Sequence, residues 1–344
     1  MDLMTGSFSQ IGHPVKPKLG AWRRAAQGSL LAQALGDTLG APIETASPAD
    51  AARYVDEVFA APGLVKVGRP PHPFGQYTDD TQLARLLAQS LVACGGMSGA
   101  DYAARLGPFV TEGHLVGGGK TTLAAAQKLV TGTLWAEAGS DRPTNGAAMR
   151  AAPAGLFYAR QPTRAAHAAA EQAQVTHTHP QAVAAAQAVA VGAATLVDAP
   201  FDPIHWLEGV AHACSDPWPH LCERLADGYR RPLPDLFTHM NDLLPSPLPE
   251  KVGLSTYAPH AVFWAMASFL RHPDDALPAL ADALRAGGDT DTSAALAGAL
   301  VGTRVGPEGL PKTLVDDLTD NGDWRAEKLA ELMAKLAAAA DRAV

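Results

Sequence analysis

With 344 residues, the chain is long enough to bury a large core within a single domain. Hydrophobic residues make up 47% of it and aromatic residues only 6%, and alanine supplies much of the hydrophobic share. This composition favours closely packed helices over sheet. The net charge of −8 gives an acidic surface that repels phosphates, which argues against nucleic acid as a partner.

Cysteine and hydropathy patterns argue against a secreted or membrane protein. Cys94, Cys214 and Cys222 are an odd set without metal-binding spacing, as is typical of reduced thiols in the cytosol. Residues 1–19 contain no apolar core of a signal peptide. The apolar stretch 182–197 is mostly alanine and contains a glutamine, so a buried helix fits it better than a membrane span. These patterns predict a cytoplasmic protein with no membrane partner.

The order of predicted elements indicates one all-α domain over residues 21–344, preceded by an irregular arm over residues 1–20. The first helix is predicted over 22–35, because glycine at positions 36 and 40 and proline at position 42 are typical of a helix end. Apolar residues at helical spacing predict further helices. These are placed at 47–54, 79–92, 101–110, 121–129, 145–158, 163–174, 180–197, 259–270, 274–286, 292–301 and 325–340. No internal repeat or long linker marks a second domain.

Two short acidic clusters, each at the start of a predicted helix, are the strongest chemical signal. The first is Thr78-Asp79-Asp80-Thr81 and the second is Gly288-Asp289-Thr290-Asp291-Thr292. Carboxylate and hydroxyl oxygens are the ligands of hard cations such as Mg²⁺ and Mn²⁺. Asp and Thr are also favoured at helix starts as caps and partners of the helix dipole, so each cluster alone supports either role. Two clusters in one chain favour a metal.

A third motif, Gly36-Asp37-Thr38-Leu39-Gly40-Ala41-Pro42-Ile43-Glu44, precedes these clusters. In this order the three motifs resemble the ADP-ribosylglycohydrolase family, of the dinitrogenase-reductase-activating glycohydrolase type. The resemblance runs from about residue 21 to about residue 306. It implies a single compact domain of orthogonally packed helices and two bound Mg²⁺ or Mn²⁺ ions. Thr38 departs from the family pattern, in which a small apolar residue is common at this position.

The resemblance also implies roles for individual residues. The metal ligands or their immediate supports would be Thr78, Asp79, Asp80, Asp289, Asp291 and Thr292. The catalytic residues would be Glu44, as a general base for water or as a gate beside the metals, and Asp80. The alternative for Asp80 is a side chain that turns away to cap its helix. Asp37 would order its own loop.

The segment from Gly113 to Thr122 looks at first like a phosphate-binding P-loop. That motif needs a glycine where His114 stands and a preceding hydrophobic strand, and neither is present. A glycine-rich turn that opens a helix can still bind an anion through its backbone N–H groups. The resemblance implies that Gly117, Gly118 and Gly119 lie along ADP-ribose, and a flexible turn is the alternative.

Two further segments and one tyrosine complete the predicted substrate site. In the stretch 144–150, small residues at a helix start would let a diphosphate approach Asn145 and Gly146. His177 lies in Thr-His-Thr-His-Pro, where the resemblance implies a cleft-lining element, and no third soft ligand is near enough in sequence for zinc. We expect His177 to contact substrate. Tyr77 would stack on a ribose or adenine ring, with core packing as the alternative.

The resemblance implies a hydrolase that removes ADP-ribose from modified side chains, so an ADP-ribosylated protein and ADP-ribose are the expected partners. Arginine is favoured over serine, because a protonated guanidine leaves as a neutral group whereas a serine alkoxide needs a proton. The alternatives are a protein that binds metal or ADP-ribose without turnover and a metal-dependent phosphohydrolase of a related nucleotide. The arm at residues 1–19 is expected to be disordered or, as in certain immunity proteins of this family, to contact a toxin.

Overall fold

The computed structural model describes residues 16–59, 64–216, 218–243 and 253–343. Over this part of the chain the protein is built from α-helices, with short 3₁₀ turns and isolated β-bridges between loops. The all-α prediction is therefore confirmed. Most of the predicted arm lies outside the described residues, and the first helix begins at Leu19. No helix within the described ranges has the length and apolar character needed to cross a bilayer.

The helices are numbered in chain order. They are α1 (Leu19–Gly40), α2 (Pro48–Phe59), α3 (Asp79–Cys94), α4 (Gly99–Thr111), α5 (Lys120–Val130), α6 (Trp135–Ala138), α7 (Ala152–Phe157), α8 (Pro162–Gln174), α9 (Pro180–Leu196), α10 (Pro203–Ala213), α11 (Trp218–Gly228), α12 (Leu233–Leu243), α13 (Ala258–Arg271), α14 (Ala276–Leu284), α15 (Thr290–Val305), α16 (Lys312–Val315) and α17 (Ala326–Ala343). Short 3₁₀ turns lie at Ala41–Ile43, Asn145–Ala147 and Pro307–Gly309.

Helices α1 and α15 form the antiparallel centre of the fold and approach each other very closely. A Cβ atom added at Gly36 would lie 2.2 Å from the carbonyl oxygen of Ala294, and one at Gly298 would lie 2.2 Å from that of Ala32. Side chains larger than hydrogen at these positions would force the helices apart. The antiparallel pairing places the end of α1 beside the start of α15, and this is where the second acid cluster lies.

The predicted end of the first helix at residue 35 is wrong, because α1 continues to Gly40. Its glycines are interior positions that allow close packing rather than a helix end. The single helix predicted over 145–158 is also wrong. A 3₁₀ turn, Asn145–Ala147, is followed after four residues by the short helix α7, and the two are separate elements.

Helix α17 closes the core over α1 and α3, and it buries an apolar stripe that includes Leu329, Met333 and Leu336. The loop before α17 is tied to α3 by a buried ion pair, in which Arg85 Nη2 lies 2.9 Å from Asp320 Oδ2. The Arg85 guanidinium also lies over the ring of Trp324. The C-terminal segment therefore supports the helix that carries the first acid cluster.

Candidate active site

A cavity of about 680 Å³ opens at the first turns of α3, α5 and α15, a size that suits a small-molecule ligand. Loops separated in sequence meet around it: Gly288 bridges to both Ala46 and Leu254, and Ser140 bridges to His177. The polar and charged lining residues are Glu44, Asp79, Asp80, Lys120, Thr121, Thr122, Ser140, Arg142, Thr144, Asn145, His177, Thr256, Asp289, Asp291 and Thr292.

The start of α3, which carries the first acid cluster, is held by Asp37 from within α1. The buried Asp37 carboxylate accepts hydrogen bonds from the backbone N–H and hydroxyl groups of Thr78 and Thr81, at 2.7 to 3.1 Å. These bonds satisfy N–H groups that a helix start leaves without partners. Asp37 therefore fixes the position of the first turn of α3, from which the side chains of Asp79 and Asp80 project.

The start of α15 carries the second cluster and is held by three contacts. Thr290 Oγ1 donates to the carbonyl oxygen of Gly40 at 2.9 Å. Asn145 Nδ2 donates to Asp289 Oδ2 at 2.6 Å. Thr292 Oγ1 lies 3.3 Å from Asp80 Oδ2 and donates to it, which links the two clusters directly. The structure thus brings together two acid clusters that are about two hundred residues apart in sequence.

The gathered carboxylates disfavour one another's ionisation. Burial raises the pKa of Asp37 to about 6, although its hydrogen bonds oppose the shift. Burial and then the charges of Asp37 and Asp289 raise the pKa of Asp79 to about 7. Burial, reinforced by neighbouring carboxylates, holds the pKa values of Asp80 and Asp291 well above their ordinary value. Ionised carboxylates at this wall therefore need a compensating cation.

The donor set at this wall fits a hard divalent ion. Its oxygens are carboxylate and hydroxyl atoms, and the buried Asp80 Oδ1 has no hydrogen-bond partner among the described residues. No three His, Cys, Asp or Glu side chains in the described ranges are already grouped as a metal site. Asp289 is held by Asn145, and Asp291 Oδ1 accepts from its neighbour's backbone N–H. These contacts each occupy one oxygen of the carboxylate and hold Asp289 and Asp291 at the cavity wall.

Glu44, the predicted general base, lines the cavity just after the Ala41–Ile43 turn. Its Oε2 atom lies 2.7 Å from Nη2 of Arg69, and both side chains are about one-third exposed. Arg69 belongs to the loop before α3 and was not singled out by any sequence pattern. The ion pair holds the Glu44 carboxylate at the cavity edge, where water has access.

The glycine-rich turn before α5 lies directly against the first acid cluster. Gly117 has a positive φ of 93°, and a Cβ atom there would lie 3.1 Å from Asp79 Oδ1. The backbone N–H of Asp79 donates to the carbonyl oxygen of Val116 at 2.8 Å. Gly117 and Gly119 line the cavity, whereas Gly118 is placed against the side chain of Leu115.

The remaining predicted residues divide between the cavity and the core. Asn145, Gly146 and His177 line the cavity. Tyr77 is fully buried and donates its hydroxyl to the carbonyl oxygen of Trp324 at 2.9 Å, so it packs in the core and does not line the cavity. Thr78 is likewise buried and donates to Asp37 at 2.8 Å, which makes it a support of the cluster.

Several cavity residues were missed from the sequence. The polar ones are Lys120, Thr121, Thr122, Ser140, Arg142, Thr144 and Thr256. Lys120, Thr121 and Thr122 directly follow the glycine-rich turn, and Thr144 directly precedes Asn145, so proximity to a motif was an available signal for these four. Ser140, Arg142 and Thr256 reach the cavity through loop contacts that no local pattern indicates.

The all-α fold and its paired acid clusters define the class of protein, and comparison with known proteins agrees. A family model described as ADP-ribosylglycohydrolase matches residues 20–343. The chain therefore belongs to the ADP-ribosylglycohydrolase family. A solved structure described as an ADP-ribosylglycohydrolase-related protein complex superposes with a TM-score of 0.70 over 93% of this chain and 99% of that chain. At 24% identity this likeness concerns the fold alone.

Three relatives extend the comparison. An uncharacterized protein of Archaeoglobus fulgidus is 30% identical over 279 residues, which is 78% of this chain and 84% of that protein. The ADP-ribosyl-[dinitrogen reductase] glycohydrolase of Rhodospirillum rubrum is 30% identical over 46% of this chain. The ADP-ribosylarginine hydrolase Tri1 of Serratia proteamaculans is 27% identical over 47% of it. The matches span 53% and 44% of these two named relatives.

Proposed function

We propose that this protein is a Mg²⁺- or Mn²⁺-dependent hydrolase of the cytoplasm that removes ADP-ribose from modified protein side chains. The observation that carries the proposal is the meeting of both acid clusters on one wall of a cavity that Lys120, Arg142 and a glycine-rich turn also line. Cations and backbone N–H groups suit a diphosphate, and a metal held by carboxylates suits a ribose diol. ADP-ribose carries both groups. Relatives named as ADP-ribosyl-protein hydrolases add support.

The residues that would hold two ions are Asp79, Asp80, Asp289 and Asp291, with Thr292 in support. When bound, the ions would grip the ribose hydroxyls and stabilise the charge that develops as the glycosidic bond breaks. Asp37 would keep the start of α3 in place, and Asn145 would orient Asp289 through its amide, 2.6 Å away.

Glu44 would supply the proton transfer. Its carboxylate would accept a proton from the water that attacks the anomeric carbon, while the bond from that carbon to the side-chain nitrogen breaks. A guanidinium on arginine would leave as neutral guanidine and then regain the proton from Glu44, so the reaction yields ADP-ribose and arginine. Arg69, paired with Glu44 at 2.7 Å, would keep the carboxylate at the cavity edge.

We propose arginine, rather than serine, as the modified residue. A carboxylate-rich wall attracts a cationic guanidinium and offers a neutral serine nothing comparable. Among the described residues no dedicated acid for a serine alkoxide stands out, since Glu44 is the one acidic side chain of that part of the chain that lines the cavity outside the two clusters. The Serratia proteamaculans relative carries the name of an ADP-ribosylarginine hydrolase.

The test uses ADP-ribosylated arginine and serine peptides, each with Mg²⁺, with Mn²⁺ and with a chelator, and identifies the products by mass. We expect free ADP-ribose and unmodified peptide, only with metal, and at least a tenfold higher kcat/KM for arginine, about 1.4 kcal/mol of transition-state preference. Release of AMP would identify a phosphohydrolase instead. Binding of ADP-ribose without turnover of either peptide would identify a binding protein, and faster release from serine would contradict the arginine proposal.

A further inference from the structure

A continuous chain of hydrogen bonds runs from a buried arginine to the cavity wall. Arg150 Nη2 lies 2.7 Å from Thr176 Oγ1, which lies 2.7 Å from His177 Nδ1. On the other side of the ring, His177 Nε2 lies 2.8 Å from Thr144 Oγ1. Arg150, Thr176 and His177 have no exposed surface, and His177 and Thr144 line the cavity.

The direction of the first two bonds follows from which groups are able to accept. A guanidinium has no acceptor atom, so Arg150 donates and Thr176 accepts. The Thr176 hydroxyl keeps one hydrogen of its own, and the remaining described partner for it is His177 Nδ1. A buried hydroxyl whose hydrogen finds no acceptor is costly. Thr176 therefore donates to Nδ1, and His177 carries its own hydrogen on Nε2.

Neutral His177 is consistent with its surroundings, because burial and the charge of Arg150 lower its pKa to about 3. With its hydrogen on Nε2, the ring donates to Thr144 Oγ1. The hydrogen of the Thr144 hydroxyl then takes no part in the bond to His177. Its other described neighbour is Thr121 Oγ1 at 3.4 Å, a distance too long for a strong bond. The Thr144 hydroxyl is thus a donor available to the cavity.

We infer that Thr144 donates its hydroxyl hydrogen to an anionic oxygen of the bound ligand, and that Arg150 and Thr176 are positioning residues that set this polarity through His177. The inference rests on the proposed function, which supplies diphosphate oxygens, groups that accept hydrogen bonds and never donate them. Lys120 and Arg142, on the same cavity, add positive charge that favours the same oxygens.

The polarity is tested without any ligand, by long-range proton–nitrogen NMR on protein labelled with nitrogen-15 in its histidines. The signals of His177 are those that disappear in His177→Gln. We expect the hydrogen on Nε2 in the wild type, a detectable Nδ1–H form in Thr176→Val, and recovery of the wild-type pattern in Thr176→Ser. A wild-type ring with its hydrogen on Nδ1 would overturn the inference.

The ligand contact is tested by calorimetric titration with ADP-ribose. Thr144→Val, which keeps the shape of the side chain, should raise Kd about 10-fold or more, the scale of a hydrogen bond to a charged group. Thr144→Ser should return Kd to about the wild-type value. Thr163→Val, on an exposed face of α8, is the matched control and should leave Kd unchanged. An unchanged Kd in folded Thr144→Val would overturn the role of Thr144.

The two tests separate this inference from the proposed function. A wild-type protein that binds no ADP-ribose would contradict the proposed function and the ligand contact together, while the NMR result would still decide the polarity. If the wild type binds ADP-ribose and loses that binding only when chelator is added, the proposed function and the ligand contact both stand. Normal binding in the wild type with an unaffected Thr144→Val would overturn the ligand contact and leave the proposed function standing.

Discussion

At the scale of single residues, Glu44 differs from the other acidic residues of the cavity because it pairs with a cation. Its Oε2 atom meets Arg69 Nη2 at 2.7 Å, whereas the clusters around Asp79 and Asp291 face other carboxylates. The ion pair with Arg69 holds the Glu44 carboxylate apart from these crowded carboxylates. Under the proposed function, Glu44 would therefore handle proton transfer while the two acid clusters hold the metal.

Replacing Glu44 with glutamine should lower turnover of an ADP-ribosylated peptide by ~10²-fold or more, the scale of general-base catalysis. Glutamine keeps the shape of the side chain and cannot accept a proton from water. Affinity for ADP-ribose and the stabilisation by Mg²⁺ should remain, because the acid clusters are unchanged. The matched control is Glu57→Gln on an exposed face of α2, which should turn over normally. Normal turnover in Glu44→Gln would leave Glu44 as a loop residue paired with Arg69.

Gly117 has no side chain at a position directly beside the first acid cluster. It needs a positive φ, and a Cβ atom would come within 3.1 Å of Asp79 Oδ1. Gly113, in the same turn, also has a positive φ of 83°, but nothing lies within 4 Å of its Cβ position. The two glycines therefore share a backbone requirement and differ in their contact with the acid cluster.

We expect Gly117→Ala and Gly113→Ala each to lower the free energy of unfolding by about 1–2 kcal/mol, because alanine is disfavoured at positive φ. Only Gly117→Ala should also weaken Mg²⁺-induced stabilisation and reduce turnover, since its methyl group would push the Asp79 carboxylate aside. Urea unfolding and peptide turnover measure the two effects separately. Equal turnover in both variants would show that the turn is not coupled to the cluster.

At the scale of elements, the close pair of α1 and α15 explains why the acid clusters meet. The pair is antiparallel, so the end of α1 with Asp37 lies beside the start of α15 with Asp289 and Asp291. Asp37 holds α3 through Thr78 and Thr81. One helix, α1, therefore positions both clusters, through packing on one side and hydrogen bonds on the other.

Gly36→Ala should lower the free energy of unfolding by about 3 kcal/mol or more. Its methyl group would lie 2.2 Å from the backbone oxygen of Ala294, and backbone cannot move aside as a flexible side chain can, so overpacking dominates. The gain in helix propensity from glycine to alanine, about 1 kcal/mol, is too small to compensate. Urea unfolding measures the net effect.

The control for this substitution lies on the same helix. Gly20 has no atom within 4 Å of its Cβ position, so Gly20→Ala should be neutral or stabilising by up to about 1 kcal/mol. A Gly36→Ala variant that is as stable as Gly20→Ala would contradict the close approach of α1 and α15. Because α1 also positions the acid clusters, Gly36→Ala is expected to lose Mg²⁺-induced stabilisation too.

The helices also show which features of the fold and the site can be predicted from sequence patterns. That each acid cluster stands at a helix start was predictable, because Asp and Thr at the head of an apolar-periodic segment are a local signal. The role of Gly36 was not, because a glycine at a helix end and a glycine at a close helix crossing look alike until the partner helix is known. The contact of Arg69 with Glu44 and the arrival of Thr256 at the cavity depend on tertiary structure in the same way.

At the scale of the whole molecule, the carboxylate clusters and the buried histidines give the fold opposite responses to pH. The pKa of Asp79 rises from 3.8 to about 7 on folding, so the folded state holds its proton more tightly. Stability from this group is complete below 3.8 and is lost as pH rises through about 7. The pKa of His177 falls from 6.5 to about 3. Stability from His177 is complete above 6.5 and is lost as pH falls towards 3.

In one range of pH the buried carboxylates still change their protonation state while the buried histidines do not. Above a pH of about 6.5 the contribution of His177 no longer changes, and the same holds for His260, whose pKa burial lowers to about 4. Asp79, whose pKa is raised to about 7, continues to lose its proton. Without metal, the protein should therefore become less stable between about pH 6.5 and about pH 8.5.

The expected size of this loss is about 1 kcal/mol, because Asp79, with a folded pKa of about 7, gives up most of its proton within the window, and it corresponds to a fall in Tm of roughly 1–2 °C. Saturating Mg²⁺ or Mn²⁺ should cancel it, because an ion that binds only the folded state stabilises by about 2.7 kcal/mol at a hundred times its Kd. The gain in Tm on adding metal should also grow with pH, since protons and metal compete for the same oxygens.

Thermal unfolding of wild type, Asp291→Asn and Asp316→Asn across this window tests the coupling of fold and site. Asp291→Asn removes one of the crowded charges, so it should have a smaller pH slope without metal and lose the metal-induced gain. Asp316→Asn is the control, because Asp316 pairs with Lys312 on the surface at 2.7 Å and should keep both wild-type responses. A Tm without metal that stays constant or rises through the window, or an Asp291→Asn variant that metal stabilises as well as wild type, would show that the carboxylates do not share a metal site.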